Sequence, residues 1–185
     1  MRKNFGPKAY MYPQPVLVIS SYNEDNSPNT MVAAWGSCAD YDKVAIYIAA
    51  SHKSMDNILA RKAFTVSFAD VAHIKQVDFL GIVSGHKDPE KFAKSGLHAE
   101  RAENVDAPII TEFPVALECE FESYDAEAEL CIARVVNVSA EESVLDADGK
   151  IDLVKLTAVV FDTVKHSYIA IGDRVGKAFS DGKNL

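Results

Sequence analysis

The chain has 185 residues, 48% hydrophobic and 25% charged, which is enough for one hydrophobic core without disulfides or metal ions as supports. Its 27 acidic and 19 basic residues give a net charge of −8, which argues against nonspecific binding to nucleic acid or to an anionic membrane. The three cysteines are widely spaced and no apolar stretch has the length of a signal peptide or a membrane span, so we expect reduced thiols, a cytoplasmic location and one domain over residues 1–185.

Seven apolar runs, rich in β-branched residues and separated by turn residues, predict a mainly antiparallel β framework. These strands are predicted over residues 16–22, 30–35, 44–50, 64–68, 115–124, 130–140 and 158–161. In the fifth run, Leu117, Cys119 and Phe121 alternate with glutamates. This alternation predicts a strand with one buried and one solvent-facing side.

Three helical patches interrupt the strands. The first, over residues 54–62, has an apolar face and ends in two cations, and the second covers residues 71–80. The third has the clearest boundaries, with Asp88 as N-cap, Pro89 at the first helical position and Gly96 just beyond its end. The pattern predicts an α+β barrel or sandwich that is mainly β, with short helical insertions.

Several common functional motifs are absent from the sequence. It contains neither a Gly-x-Gly-x-x-Gly fingerprint nor a P-loop, so nucleotide binding would need another scaffold. Neither the histidines nor the cysteines have metal-ligand spacing, so we expect no metal site. There is no Gly-x-Ser-x-Gly elbow, and no catalytic residue is assigned.

The clearest functional signal lies at the start of the first predicted helix. Ser51, His52, Lys53 and Ser54 place hydroxyl, imidazole and ammonium groups where a helix leaves backbone N–H groups free. The preceding segment holds Trp35, the only tryptophan, among small residues that allow a flat ring to lie against the backbone. These features predict a phosphorylated aromatic cofactor.

Each of these features also has a simpler explanation. Ser51 or Ser54 could serve merely as a helix cap, with His52 and Lys53 as solvated surface residues. Trp35 could be a core aromatic residue, and Cys38 a small buried hydrophobic one. The order of the features along the chain is what favours the functional interpretation.

Six motifs occur in a characteristic order. They are residues 12–18, residues 28–36, residues 51–54, residues 84–92 with 96–97, residues 108–110 and residues 114–119, with Tyr168 and residues 172–176 further along. In this order they resemble the flavin reductase-like FMN-binding split-barrel family, and most closely its flavoredoxin-like branch. The resemblance extends from residue 10 to about residue 180.

The resemblance implies a six-stranded antiparallel Greek-key split barrel that binds FMN noncovalently, in a homodimer whose subunits both border the flavin. The residues implied beside the flavin ring are Asn29, Thr30, Met31, Ala34, Trp35, Gly36, Ser37 and Cys38. Those implied around the phosphate are Ser51, His52, Lys53 and Ser54, with Asn57 behind them and further polar contacts from Ser84 and Lys91. His52 and Lys53 stand where relatives often place arginine, and Lys53 cannot bind phosphate in a bidentate way. Either the phosphate affinity is lower or the role passes to Lys87 or Lys91.

The implied function is FMN-dependent redox chemistry. NAD(P)H is the co-substrate that donates a hydride to the flavin, and electrons then pass to free flavin or to a redox-protein partner. A non-enzymatic FMN electron carrier, reduced by a protein donor, is the alternative. A third possibility is a relative of pyridoxine phosphate oxidase, a family that relies on more arginines than this phosphate segment contains. The sequence shows no obvious nicotinamide site.

Overall fold

A seven-stranded antiparallel sheet forms the centre of the fold in the computed structural model, which describes residues 1–184. In spatial order its strands are β3 (Pro28–Ala33), β2 (Leu17–Tyr22), β6 (Ala63–Phe68), β9 (Val115–Asp125), β10 (Leu130–Ala140), β5 (Lys43–Tyr47) and β4 (Gly36–Asp40). A three-stranded sheet contains β1 (Gln14–Pro15), β11 (Val159–Asp162) and β12 (Ser167–Ala170). A third, two-stranded sheet pairs β7 (Ala99–Arg101) with β8 (Pro108–Ile110).

The large sheet curls until its two ends meet, which makes it a split barrel. A Cβ atom on Gly36 of β4 would lie 2.7 Å from Leu17 Cδ1 of β2, so the backbone of one end touches side chains of the other. In the described part of the chain the two edge strands, β3 and β4, are not hydrogen-bonded to each other. The predicted antiparallel split barrel is therefore confirmed, with seven strands in its sheet instead of six.

The barrel has an apolar interior and an apolar outer layer, and β2 contributes to both. Leu17 and Ile19 point into the interior, whereas Val16 and Val18 pack in the outer cluster beneath the helices. Because both faces of the chain are buried here, residues 16–19 form a continuous apolar run rather than an alternating one.

In the part of the chain that the structure describes, four α-helices are inserted among the strands. Helix α1 (Lys53–Arg61) closes one end of the barrel with Met55 and Ile58, while α2 (Ile74–Ile82) and α3 (Lys91–Ser95) cover the outer face. Helix α4 (Leu153–Leu156) follows β10. Within residues 1–184, no helix combines the length and the apolar character needed to cross a membrane.

The third predicted helix starts later than expected. The structure begins α3 at Lys91 with Glu90 as N-cap, so the assignment of Asp88 as N-cap is wrong. Asp88 instead accepts hydrogen bonds from the Glu90 backbone and from Lys94 Nζ, in the turn before the helix. The predicted end is confirmed, because Gly96 adopts a left-handed conformation with φ of 73°.

Two further expectations for strands need correction. The strand predicted over residues 30–35 ends at Ala33, and Gly36–Asp40 forms the separate strand β4. On β9, Glu118 does not face solvent: it is 1% exposed and accepts hydrogen bonds from Asn104 and from Asn137 Nδ2. Burial raises the pKa of Glu118, but hydrogen bonds from Asn137 and Asn104 lower it below its ordinary value overall.

Candidate functional site

A cleft runs along β3 and the last turns of α2. Its polar end, of about 170 Å³, is lined mainly by Asn29, Met31, His52, Lys53, Ser54, Ser84, Gly85 and Lys91. Its aromatic end, of about 310 Å³, is lined by Val16, Ala34, Asp78, Phe161, His166 and Tyr168. Val32, Gly81 and Ile82 border both ends, so the two form one continuous surface.

The start of α1 supplies the polar end with backbone donors. The first helical hydrogen bonds of α1 run from Met55 N and Asp56 N to His52 O, at 2.9 and 3.4 Å. The N–H groups of Lys53 and Ser54 precede these bonds and are free to bind a ligand. The positive end of the helix dipole lies at the same place, which favours an anion.

Two other segments pack against this helix start. Asn29 of β3 donates from Nδ2 to Ser54 Oγ over 2.8 Å, and both side chains are buried. Gly85, in the loop after α2, approaches so closely that a Cβ atom there would lie 2.7 Å from Asn29 Oδ1 and 3.3 Å from Lys53 Cβ. His86 Nε2 lies 3.3 Å from Asp56 Oδ2 and joins the same loop to α1.

Lys91 is the buried cation of the polar end. Its Nζ donates to Val83 O at 2.9 Å and to Leu80 O at 3.2 Å, both at the end of α2. An ammonium group has three N–H donors, so one remains for a ligand. Burial lowers the pKa of Lys91 to about 8 because it disfavours the charged form.

The charge of the polar end is opposite to that of the whole chain. Two lysines, a histidine and two serines line it, and among the described residues no aspartate or glutamate does. The chain as a whole carries a net charge of −8. This local excess of donors and positive charge is the composition expected for an anion site, and a phosphate group fits it.

The aromatic end combines apolar walls with a solvent-exposed hydrogen bond between two distant elements. Tyr168 of β12 donates from Oη to Asp78 Oδ1 of α2 over 2.9 Å, which ties the small sheet to the helix. Burial, together with the neighbouring Asp78 carboxylate, raises the pKa of Tyr168 to about 12. The Phe161 ring lies 5.9 Å from the Tyr168 ring and 6.3 Å from the His166 ring. A flat aromatic group suits such a surface.

The structure brings only part of the predicted site together. Eight predicted residues line the cleft: Asn29, Met31, Ala34, His52, Lys53, Ser54, Ser84 and Lys91. The other seven line neither end: Thr30, Trp35, Gly36, Ser37, Cys38, Ser51 and Asn57. Thr30 turns away and shares a hydrogen bond with Ser20, while Asn57 lies behind the helix start and donates to Asn23 Oδ1.

The simpler explanations for several of these residues are wrong. Trp35 is 62% exposed between β3 and β4, so it is not a core residue, and its ring packs edge-on against Tyr47. Cys38 is exposed on β4 rather than buried. His52 occupies the N-cap position of α1 and makes no side-chain cap bond there, so neither Ser51 nor Ser54 caps the helix.

Other cleft residues were not predicted from the sequence. Gly85 falls within the motif over residues 84–92, but only the structure shows how closely it approaches Asn29. No local sequence pattern marks Asp78, Phe161 and His166 as cleft residues. Asp78, for example, contacts Tyr168, which lies 90 positions away in the sequence.

Known proteins resemble this chain in sequence and in structure. The protein-family model for the flavin reductase like domain matches residues 9–158 of the sequence. The chain is similar to flavoredoxin of Desulfovibrio vulgaris (Miyazaki F), with 34% identity and a TM-score of 0.94, covering 99% of this chain and 100% of that one. None of the curated proteins compared with the chain matches it.

More distant structures share the fold. Flavoredoxin from Methanosarcina acetivorans is 23% identical with a TM-score of 0.88, covering 99% of this chain and 98% of that one. An FMN-binding domain of a flavin reductase-like enzyme from Shewanella baltica is 19% identical with a TM-score of 0.80, covering 89% of each chain. Because the family model spans most of the sequence and the Desulfovibrio protein matches it over nearly its whole length, the chain belongs to the flavin reductase-like family.

Proposed function

We propose that the chain binds FMN noncovalently in the cleft along β3, as the basis of a redox function. The observation that carries this proposal is the polar end, where donors and cations gather in an otherwise acidic chain and no described lining residue is an aspartate or glutamate. The aromatic end is continuous with it and suits a flat ring. The similar Shewanella baltica protein is an FMN-binding domain, which supports the same cofactor.

The residues of the polar end would hold the phosphate. Lys53 and Lys91 supply charge, Ser54 and Ser84 supply hydroxyl groups, and the free N–H groups of α1 point along the helix dipole. The absence of a side chain at Gly85 leaves the loop close to β3, which fixes the depth of the cleft.

The residues of the aromatic end would orient the isoalloxazine ring. Val32 and Ile82 provide apolar surface that keeps water from the ring, and the bond between Tyr168 and Asp78 holds the wall in place. As an edge strand, β3 has backbone N–H and C=O groups that the sheet does not use and that can meet the polar edge of a flavin. When bound, FMN supplies the redox chemistry by accepting a hydride from NAD(P)H and passing electrons to free flavin or a redox protein.

A second candidate function is an FMN electron carrier that a protein donor reduces. The full-length similarity to a flavoredoxin supports this second function, because the sequence resemblance to the flavoredoxin-like branch implied an electron carrier as the alternative. Mixing the FMN-loaded protein with NADH or NADPH without oxygen separates the two candidates. We expect rapid bleaching of the flavin absorbance with one of the two nucleotides. Bleaching no faster than that of free FMN would favour the carrier.

We also propose that the chain forms a homodimer. Both terminal segments leave large apolar side chains in solvent: Met11 is 71% exposed, Val175 102% and Phe179 97%. Exposure on this scale is typical of segments that pack against another protein surface. Sedimentation analysis of the purified protein tests this proposal, with a mass of twice 20.2 kDa expected.

A further inference from the structure

The C-terminal arm, residues 172–183, is almost detached from the rest of the chain. The last backbone hydrogen bond to the body is donated by Ile171 N to Ala158 O, at 3.0 Å. Beyond it, within the residues that the structure describes, a single ion pair joins the arm to the body. It links Arg174 Nη2 to Asp152 Oδ1 at 2.9 Å. The arm is therefore a projecting segment.

The arm nevertheless carries apolar anchors. The side chains of Val175 and Phe179 are 102% and 97% exposed, as much as in an isolated extended chain. Water-exposed apolar surface of this kind is unfavourable, and burying it drives association. The arm has three basic and two acidic residues in a chain of net charge −8, so it does not share the acidic excess of the rest of the chain.

The barrel offers an apolar cavity of matching size. This barrel mouth is lined chiefly by Pro15, Leu17, Cys38, Val44, Phe68 and Leu117 and has a volume of about 150 Å³. Apolar protein cavities of roughly this volume accommodate a benzene ring. The mouth lies at the start of β2, whereas α1 closes the barrel near Ser21 at the other end of that strand.

The arm starts beside the mouth. Ile171 packs on the same cluster, around Val115 and Ala158, as Phe68 and Leu117 of the mouth. From residue 172 to Phe179 an extended chain spans roughly 25 Å. When two copies face each other mouth to mouth across a two-fold axis, each arm therefore lies within reach of the other copy's mouth.

We infer that the C-terminal arm of one copy docks on the barrel mouth of a second copy, with Phe179 entering the cavity, and that the exchange is reciprocal. This inference rests on the proposed homodimer and is independent of the FMN site, which lies along the other edge strand. The occupant is the second copy because the arm extends away from its own body, where Phe179 is 97% exposed.

Cysteine cross-linking tests the inference, because the mouth already has an exposed thiol, Cys38. Ala178→Cys adds a thiol beside Phe179 while keeping that ring. Diamide then oxidises pairs of neighbouring thiols, taking two electrons and two protons per disulfide formed. Cys119 and Cys131 stay unreactive, since burial raises their pKa to about 12 and about 11.

We expect a dimer that resists denaturation without reductant, with Cys38 joined to the thiol at position 178 of the other copy in peptide mass analysis. Leu59→Cys, on the exposed side of α1, is the matched control and should give no such dimer. Adding Phe179→Ser to Ala178→Cys should slow the cross-linking by about tenfold, the factor that corresponds to about 1.4 kcal/mol.

A disulfide within one chain would overturn the inference, because the arm would then fill its own mouth. Cross-linking no faster than in Leu59→Cys would also overturn it. FMN binding is measured independently, by flavin fluorescence on the same samples. A protein that cross-links as expected but does not bind FMN supports the arm exchange and contradicts only the cofactor proposal.

Discussion

At the scale of single residues, Lys91 connects the packing of two helices with the polar end of the cleft. Its ammonium group joins α3 to the end of α2 through two carbonyl groups, and it lines the polar end of the cleft. Burial lowers its pKa to about 8. An anion beside it would favour the charged form and raise that pKa again, so ligand binding and protonation are coupled.

This coupling predicts that FMN binds more weakly as the pH rises above about 8. Below that pH Lys91 is already charged in the free protein, whereas above it binding must take up a proton, which weakens affinity by at most about tenfold per pH unit. Flavin fluorescence titrations between about pH 7 and about pH 9.5 measure this. Lys91→Met should remove the dependence, and a flat profile for the unmodified protein would contradict the role of Lys91.

Lys53 gives a second prediction at this scale. Lys53→Ala should weaken FMN binding by about 1.5–3 kcal/mol, because it removes a charge-assisted contact from a half-buried site. Lys87→Ala is the matched control: Lys87 is exposed and does not line the cleft, so its loss should change the dissociation constant little. Equal losses in the two variants would show that general charge, not a contact, is measured.

Sequence patterns failed at residues whose partners come from distant segments. The alternation on β9 predicted a solvated Glu118, but Asn104 and Asn137 bury and satisfy its carboxylate. Trp35 was assigned to a strand, yet the chain leaves the sheet there and its ring is exposed. By contrast, Lys53 and Ser54 were predicted to lie at the helix start because the signal is local.

At the scale of elements, the polar end depends on how closely the loop after α2 approaches β3 and α1. Gly85→Ala should disturb this approach, because its Cβ atom would lie 2.7 Å from Asn29 Oδ1 and force Asn29 away from Ser54. We expect at least a tenfold loss of FMN affinity, equivalent to about 1.4 kcal/mol. Gly172→Ala is the control, since nothing lies within 4 Å of the added atom. Unchanged FMN affinity in Gly85→Ala would show that the loop does not shape the site.

The elements that the sequence predicted well are long or strongly patterned. The long strands β9 and β10 and the helix α1 lie within a residue or two of their predicted bounds. The strands β7, β8 and β12 have three or four residues, too few for a periodic pattern, and β4 is largely exposed. Residues of α2, β3 and β12 meet only through tertiary packing, which explains why the aromatic end was not predicted.

At the scale of the whole molecule, the order of motifs predicted the split barrel better than composition did. Composition and periodicity left a barrel and a sandwich equally open, whereas the motifs pointed to one family, and its model matches residues 9–158. The net charge of −8 gives no sign of the cationic polar end, which forms only when β3, α1 and the loop after α2 come together.

The central claim is that the polar end of the cleft binds the phosphate of FMN. Parallel titrations of the purified protein with FMN and with riboflavin, followed by flavin fluorescence, test it most directly because the two ligands differ only in that phosphate. We predict that FMN binds at least tenfold more tightly, a difference of about 1.4 kcal/mol or more. Equal affinity for FMN and riboflavin would contradict the phosphate site.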